Sequence, residues 1–151
     1  MSGVRARAVL WWLVAAWCVP SPAAAQLCSI TATPVTFGSY DVLAPAPLDS
    51  MGSVTYQCLI GVNVIITLSR GSAPSFAPRR MTNGAEALGY NLYLNPGRTI
   101  VWGDGSGGTS RYSALVALLL PVSVQVYGRV PAGQNVAAGA YGDTVVATII
   151  F

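Results

Sequence analysis

Residues 54–69 read Val54-Thr55-Tyr56-Gln57-Cys58-Leu59-Ile60-Gly61-Val62-Asn63-Val64-Ile65-Ile66-Thr67-Leu68-Ser69. Val54, Tyr56 and Cys58 alternate with Thr55 and Gln57. After Gly61, the set Val62, Val64, Ile66 and Leu68 alternates with Asn63, Ile65, Thr67 and Ser69. A period of two places each set on one face of an extended strand, whereas a helix needs a period of about 3.6. The stretch therefore predicts two strands broken at Gly61.

The same pattern recurs outward from it. Leu88, Tyr90 and Leu92 share a face, Asn95-Pro96-Gly97 supplies a tight turn, and Thr99 to Trp102 runs back as a hairpin. Val122, Val124 and Val126 alternate with Ser123, Gln125 and Tyr127. A last strand spans Thr144 to Phe151, with Val145, Ala147, Ile149 and Phe151 on one face and Thr144, Val146, Thr148 and Ile150 on the other. In the segment 110–120, the run Ala114 to Leu120 before Pro121 fits a buried helix or a buried strand equally. It is too short to cross a bilayer. The 16 glycines and 10 prolines fall mostly between these runs, which favours ordered turns over disorder. Short strands without an amphipathic helix indicate an all-β protein, an immunoglobulin-like antiparallel β-sandwich.

Composition narrows the function. Of 151 residues, 53% are hydrophobic and 9% charged, and neither His nor Lys occurs. The usual general base is absent, as is the amine needed for a P-loop or a Schiff base. Arg5 and Arg7 lie at the N-terminus; the rest of the chain sets six arginines against five acids. That balance predicts no nucleic-acid partner, since such binding needs several phosphates neutralised along one face.

Residues 1–25 read as a signal peptide. Arg5 and Arg7 form a positive start, Ala8 to Val19 an apolar stretch, and Pro20-Ser21-Pro22-Ala23-Ala24-Ala25 a small-residue cleavage region, with cleavage before Gln26. The apolar stretch falls short of the roughly 20 residues of a spanning helix, so no stable membrane insertion is expected. Export through the periplasm to the outside or the cell surface follows. Cleavage removes Cys18 and leaves Cys28 and Cys58, an even pair in an oxidising compartment, which predicts one disulfide. Two Cys without His cannot complete an ordinary zinc site.

The remaining motifs carry little chemistry. Gly103-Asp104-Gly105-Ser106-Gly107-Gly108 has the spacing G-x-G-x-x-G, but no acid stands about 20 residues on; the next, Asp143, is 35 residues beyond Gly108. A loop between strands is expected. Asp104 alone cannot hold calcium. The pairs Asp104 with Asp143 and Asp41 with Asp49 are candidates for glycoside hydrolysis, yet each acid lies in a turn context where Asp bonds the local backbone. No catalytic residue, cofactor or metal is therefore expected, and a small secreted hydrolase is the weakest reading. Arg79-Arg80 reads as charge on a strand edge that discourages unwanted pairing.

Residues 26–151 as a whole resemble the spore coat protein U domain family, which includes pilin subunits of archaic chaperone-usher fimbriae. The resemblance is carried by Cys28, Phe37-Gly38-Ser39-Tyr40-Asp41, Tyr56-Gln57-Cys58, Arg80-Met81, Tyr90-Asn91-Leu92-Tyr93 and Val101-Trp102-Gly103-Asp104-Gly105. Val126-Tyr127-Gly128-Arg129-Val130-Pro131-Ala132-Gly133-Gln134 and Gly139-Ala140-Tyr141-Gly142-Asp143-Thr144 complete it. It implies a sandwich lacking its final strand, whose groove is filled first by a periplasmic chaperone and then, at an outer-membrane usher, by a strand of another pilin subunit. The physics is β-augmentation. The implied function is a structural fimbrial subunit; the alternative is a secreted spore-coat or matrix protein outside any pilus. Val145, Ala147, Ile149 and Phe151 are the expected chaperone and donor-strand contacts. Cleavage before Gln26 leaves Gln26 and Leu27 ahead of Cys28, so the chain is expected to accept a strand without donating one, as a tip or capping subunit.

Overall fold

The computed structural model describes residues 27–116 and 120–151. The expected signal peptide, Cys18 and part of the run 114–120 lie outside them. Among the described residues eight strands follow in order: β1 (Cys28–Thr33), β2 (Leu48–Cys58), β3 (Val62–Leu68), β4 (Arg79–Asn83), β5 (Glu86–Tyr93), β6 (Tyr112–Val116), β7 (Val122–Val130) and β8 (Ala147–Ile150). They form two antiparallel sheets, β1-β2-β7-β5-β4 and β6-β3-β8. The architecture is an open, incomplete β-sandwich.

The alternation in residues 54–68 decides which side chains meet. Val54, Tyr56 and Cys58 of β2 point inward against Val64, Ile66 and Leu68 of β3, and all six are buried. Leu88, Tyr90 and Leu92 of β5 join them. Cys28 stands directly opposite Cys58 in the β1–β2 ladder, and a disulfide joins the two. Ser110 to Leu120 resolves partly into the edge strand β6, paired with β3 from Val62↔Val116 to Ile66↔Tyr112.

Three expectations change. The terminal strand is shorter than Thr144 to Phe151, because residues 143–146 leave the ladder. The return of the β5 hairpin is reduced to a bridge, Tyr93↔Val101, after which Trp102 pairs with Ser110. Asn95 still organises the turn, its Oδ1 accepting the Thr99 and Ile100 amides at 3.1 and 2.9 Å.

The third change is Arg79, which is no edge charge: it is fully buried, at 0% exposure. In β4 it shares the inward face with Met81, opposite Tyr90. Its Nε donates to Ser69 O at 3.0 Å, Nη1 to Asn91 Oδ1 at 2.7 Å and Nη2 to Trp102 O at 2.6 Å, and the guanidinium lies over the Phe76 ring. Burial pulls its pKa down from the ordinary arginine value. A planar five-donor group can satisfy three acceptors converging from different segments, which a lysine cannot. Arg80, the next residue, is exposed as expected.

Trp102, also at 0% exposure, ties the two sheets. Its amide donates to Leu92 O of β5 at 2.9 Å, while its indole Nε1 donates to Ile66 O of β3 at 3.0 Å. Tyr56 of β2 and Tyr112 of β6 bring their hydroxyls to 3.3 Å across the same interior.

Candidate functional site

Opposite these links the sandwich is open. Residues 34–40, which follow β1, and residues 143–146, which precede β8, belong to no strand. Residues 32–38 and 141–145, with Ala147, line a cavity of about 590 Å³. Its floor is apolar: Val54, Leu68, Met81, Tyr90, Leu92 and Val126. Residues 38–42 and 136–141 line a second cavity of about 710 Å³ over Met81 and Leu88. Gly38, Met81 and Tyr141 line both, so the two spaces adjoin at a waist. From the first cavity to the second, residue numbers rise along one wall and fall along the other. The walls therefore run in opposite directions, so that a strand placed between them is antiparallel to one and parallel to the other.

Each wall is fixed to the five-stranded sheet. Val35 and Phe37 pack onto Gly128, where an added Cβ would stand 2.7 Å from both side chains; only glycine permits this approach. Phe37 also meets Tyr90 edge-on, with ring centroids 5.9 Å apart. Tyr40 donates to Pro131 O at 3.0 Å and accepts the Gln134 amide at 2.9 Å. The Gln134 side chain bonds both backbone groups of Gly89, accepting from its N–H at 2.7 Å and donating to its carbonyl at 2.8 Å. This accounts for the block from Tyr127 to Gln134 as a fastener for the 37–41 segment.

The opposite wall hangs on Asp143. Its Oδ2 accepts the Tyr90 hydroxyl at 2.7 Å, and its Oδ1 accepts the Ser72 and Thr144 amides, both at 2.9 Å. Burial, reinforced by Asp143, pushes the Tyr90 phenol well above its ordinary pKa, so it remains a donor. Gly71, at φ +67°, sits against the Asp143 carboxylate where any Cβ would collide. Gly142 exchanges two backbone hydrogen bonds with Thr82 of β4, at 2.9 and 3.2 Å.

Of the four residues expected to contact a chaperone or donor strand, Val145 and Ala147 line the first cavity. Ile149 lies opposite Ile66 in the β3–β8 ladder, half-buried against the core, and Phe151 is 51% exposed beyond the end of β8. The sequence reading missed the second wall, residues 34–42, although Val35 and Phe37 alternate with Thr36. It also missed Met81 as the residue that narrows the gap.

The other candidates disperse. Asp104 Oδ1 accepts the Ser106 amide and hydroxyl at 2.8 and 2.6 Å, which holds its pKa below the usual carboxylate range, in a loop closed by Thr109. Asp41 accepts the Leu43 amide at 2.9 Å, and Asp49 pairs with Arg129 and Arg98. The G-x-G-x-x-G stretch opens no helix. Among the described residues no helix is long and apolar enough to cross a membrane, and no cluster of His, Cys, Asp and Glu could hold a metal.

Comparison with known proteins agrees with this geometry. The Spore Coat Protein U domain profile matches residues 14–148. Protein U of Myxococcus xanthus is 42% identical over 130 residues, spanning 78% of this chain and 71% of that protein. A chain in the CsuC-CsuE chaperone-tip adhesion subunit pre-assembly complex from archaic chaperone-usher Csu pili of Acinetobacter baumannii superposes over 82% of this chain, with a TM-score of 0.59 and 25% identity. This chain spans 39% of the length of that one. Those relatives are structural, and this chain is a structural protein rather than an enzyme. The open sandwich, its fastened walls and the matched sequence lead to one assignment: the chain belongs to the Spore Coat Protein U domain family.

Proposed function

We propose that this protein is a secreted building block of an extracellular coat or surface matrix whose sandwich is completed by a β-strand from another chain. The supporting observation is the gap itself: two antiparallel walls outside any ladder, over a floor of Val54, Leu68, Leu92 and Val126. An inserted strand gains main-chain hydrogen bonds from a wall and buries alternate side chains on the floor. Left open, the same surface invites non-specific association. Residues 1–25 act as the export signal in this reading, and N-terminal sequencing of the secreted protein tests the boundary.

The likeness to a chain of a chaperone-tip adhesion subunit complex favours a second reading, a fimbrial subunit carried by a periplasmic chaperone and handed to an outer-membrane usher. In it Val145, Ala147, Ile149 and Phe151 zip against the chaperone edge. Expression in a Gram-negative periplasm, with and without an archaic-pilus chaperone, separates the two. A one-to-one chaperone complex, lost when Phe151→Asp or a C-terminal tag is introduced, supports the fimbrial reading. Accumulation of folded protein without chaperone, assembling into a matrix, supports the coat reading. A stable, fully protected monomer that takes up no strand overturns both.

A further inference from the structure

The gap lies on the inner side of the five-stranded sheet, and the outer side of that sheet carries a cluster that strand complementation does not use. We infer that this outer face, around Arg98 and Arg129, binds an acidic glycan, a polysaccharide bearing carboxylate groups of the uronate kind.

The strand register sets the outward side chains in rows. Val54, Val126 and Val130 are buried, so Asp49, Met51 and Ser53 of β2 and Gln125, Tyr127 and Arg129 of β7 face outward. One row pairs Asp49 with Arg129, and the next places Met51, Tyr127 and Tyr93 side by side on β2, β7 and β5. Beyond it Ser53 meets Gln125 and Thr55 meets Ser123. At the charged end two guanidiniums share one carboxylate. Arg129 grips Asp49 in a fork, Nε to Oδ1 at 2.7 Å and Nη2 to Oδ2 at 2.8 Å, while Arg98 Nη1 stands 3.3 Å from Oδ2. One positive charge is left over, and Arg98 Nη2 and Arg129 Nη1 bond nothing among the described residues. Arg98 lies flat on the sheet: its Nε donates to Gly128 O at 3.1 Å, and its guanidinium carbon is 5.8 Å from the centre of the Tyr127 ring. Among the described residues it is the one non-glycine with a positive φ, 54°, a backbone that costs an L side chain energy.

The occupant is identified by what this face offers and withholds. A spare guanidinium charge beside a fork matches a planar carboxylate. The strip formed by β2 and β7 holds no further cation beyond this pair, so a nucleic acid, which needs several phosphates neutralised in succession, finds no match. Both strands have neighbours on either side, so an extended peptide finds no free ladder groups. The rows from Asp49 to Thr55, about 20 Å at about 3.3 Å per residue, instead present hydroxyl, amide and ring. Those groups suit a polyhydroxyl chain, whose hydroxyls exchange hydrogen bonds with Ser53, Gln125 and Ser123 while its C–H faces pack on Tyr93, Tyr127 and Met51.

The test titrates the secreted, disulfide-bonded protein into labelled oligogalacturonate, its methyl-esterified counterpart and poly-L-glutamate, read by fluorescence anisotropy at low salt, where charge recognition is least screened. Oligogalacturonate should bind. Masking its carboxylates as methyl esters should weaken binding about tenfold or more, the scale of hydrogen bonds to charged groups. Arg98→Gln and Arg129→Gln should each weaken it similarly, whereas Arg70→Gln and Arg111→Gln, which remove the same charge at exposed sites after β3 and before β6, should change it less than about twofold. Circular dichroism checks the fold of each variant, and the comparison of polymers needs only the wild type. Equal affinity for the methyl ester overturns carboxylate recognition. Equal affinity for poly-L-glutamate overturns the glycan assignment in favour of an acidic polypeptide. No binding of oligogalacturonate, or an equal loss with all four variants, overturns the site. Strand complementation is read separately, by peptides that enter the gap on the other side of the sheet.

Discussion

One seam of the sandwich is closed and the other is open, and different residues make them. At the closed seam, Tyr56, Tyr112, Trp102 and Arg79 join the sheets through a hydroxyl pair, an indole bond to Ile66 O and a guanidinium that reaches three segments. Large side chains with polar tips fill the space and fix its width at once. At the open seam the interior offers only apolar floor. Its two walls are instead pinned away from each other, one by Tyr40 and Gln134, the other by Asp143 on Tyr90. The gap is thus held preformed. Polar fasteners that keep walls apart over an uncovered floor are what a receptor for a further strand requires, because preorganisation lowers the ordering cost of association.

Breaking the covalent and buried polar links away from the gap should produce the largest effects. Replacing Cys28 and Cys58 together by serine removes a link closing a separation of 30 residues, which should cost about 3 to 4 kcal/mol of unfolding free energy in urea titrations. The secreted wild type should be two hydrogens lighter than its reduced mass and resist alkylation without reductant. Arg79→Met removes the guanidinium that donates to the carbonyls of Ser69 and Trp102 and leaves Asn91 Oδ1 with the Leu92 amide alone, and should cost about 3 kcal/mol. Arg80→Met, one residue along on an exposed site, should change stability by less than about 0.5 kcal/mol. Equal effects of the two would contradict the buried reading of Arg79.

Perturbing the open seam should leave the fold standing and spoil the gap. Tyr90→Phe removes the phenolic donor to Asp143 and should cost about 1 kcal/mol in stability. Its larger signature should be weaker strand binding, since the wall from Tyr141 to Val145 loses one of its anchors. Smallest of all is Asp49, a partly exposed carboxylate that Arg129 holds below its ordinary pKa of 3.8, with Arg98 adding to the effect. A depressed folded-state pKa contributes stability above the unfolded value, and that contribution disappears as pH falls through the folded one. Solvent screening keeps it within about 1 kcal/mol. Asp49→Asn should therefore narrow the difference in stability between pH 7 and pH 3 slightly, by calorimetry, and do nothing to strand binding.

What could be read from the sequence follows the same division. The alternation in 54–68 is dictated by burial on one face, so the central strands and their inward residues were legible, as was the Cys28–Cys58 pairing. Arg79 was not, because a strand period shows which face a residue takes but not whether that face is covered. The segments 34–42 and 136–143 were not, because Pro34, Gly38, Gly139 and Gly142 interrupt their alternation, so that extended walls awaiting a ladder read as loops. Val145 and Ala147, singled out by position, line the first cavity, whereas Gly128 and Gly71 matter through close approaches between segments distant in sequence.

The central claim, that the walls of the gap are the edges of a sheet missing one strand, is tested most directly by amide hydrogen exchange on the disulfide-bonded protein with and without an apolar strand-forming peptide that fills the gap. The amides of Val35, Thr36, Phe37 and Val145 should exchange rapidly when the gap is empty and become strongly protected when it is filled, while Tyr56, Ile66 and Tyr112 at the closed seam are already protected and change little. Binding of the peptide with no new protection at Val35, Thr36, Phe37 or Val145 would contradict the account.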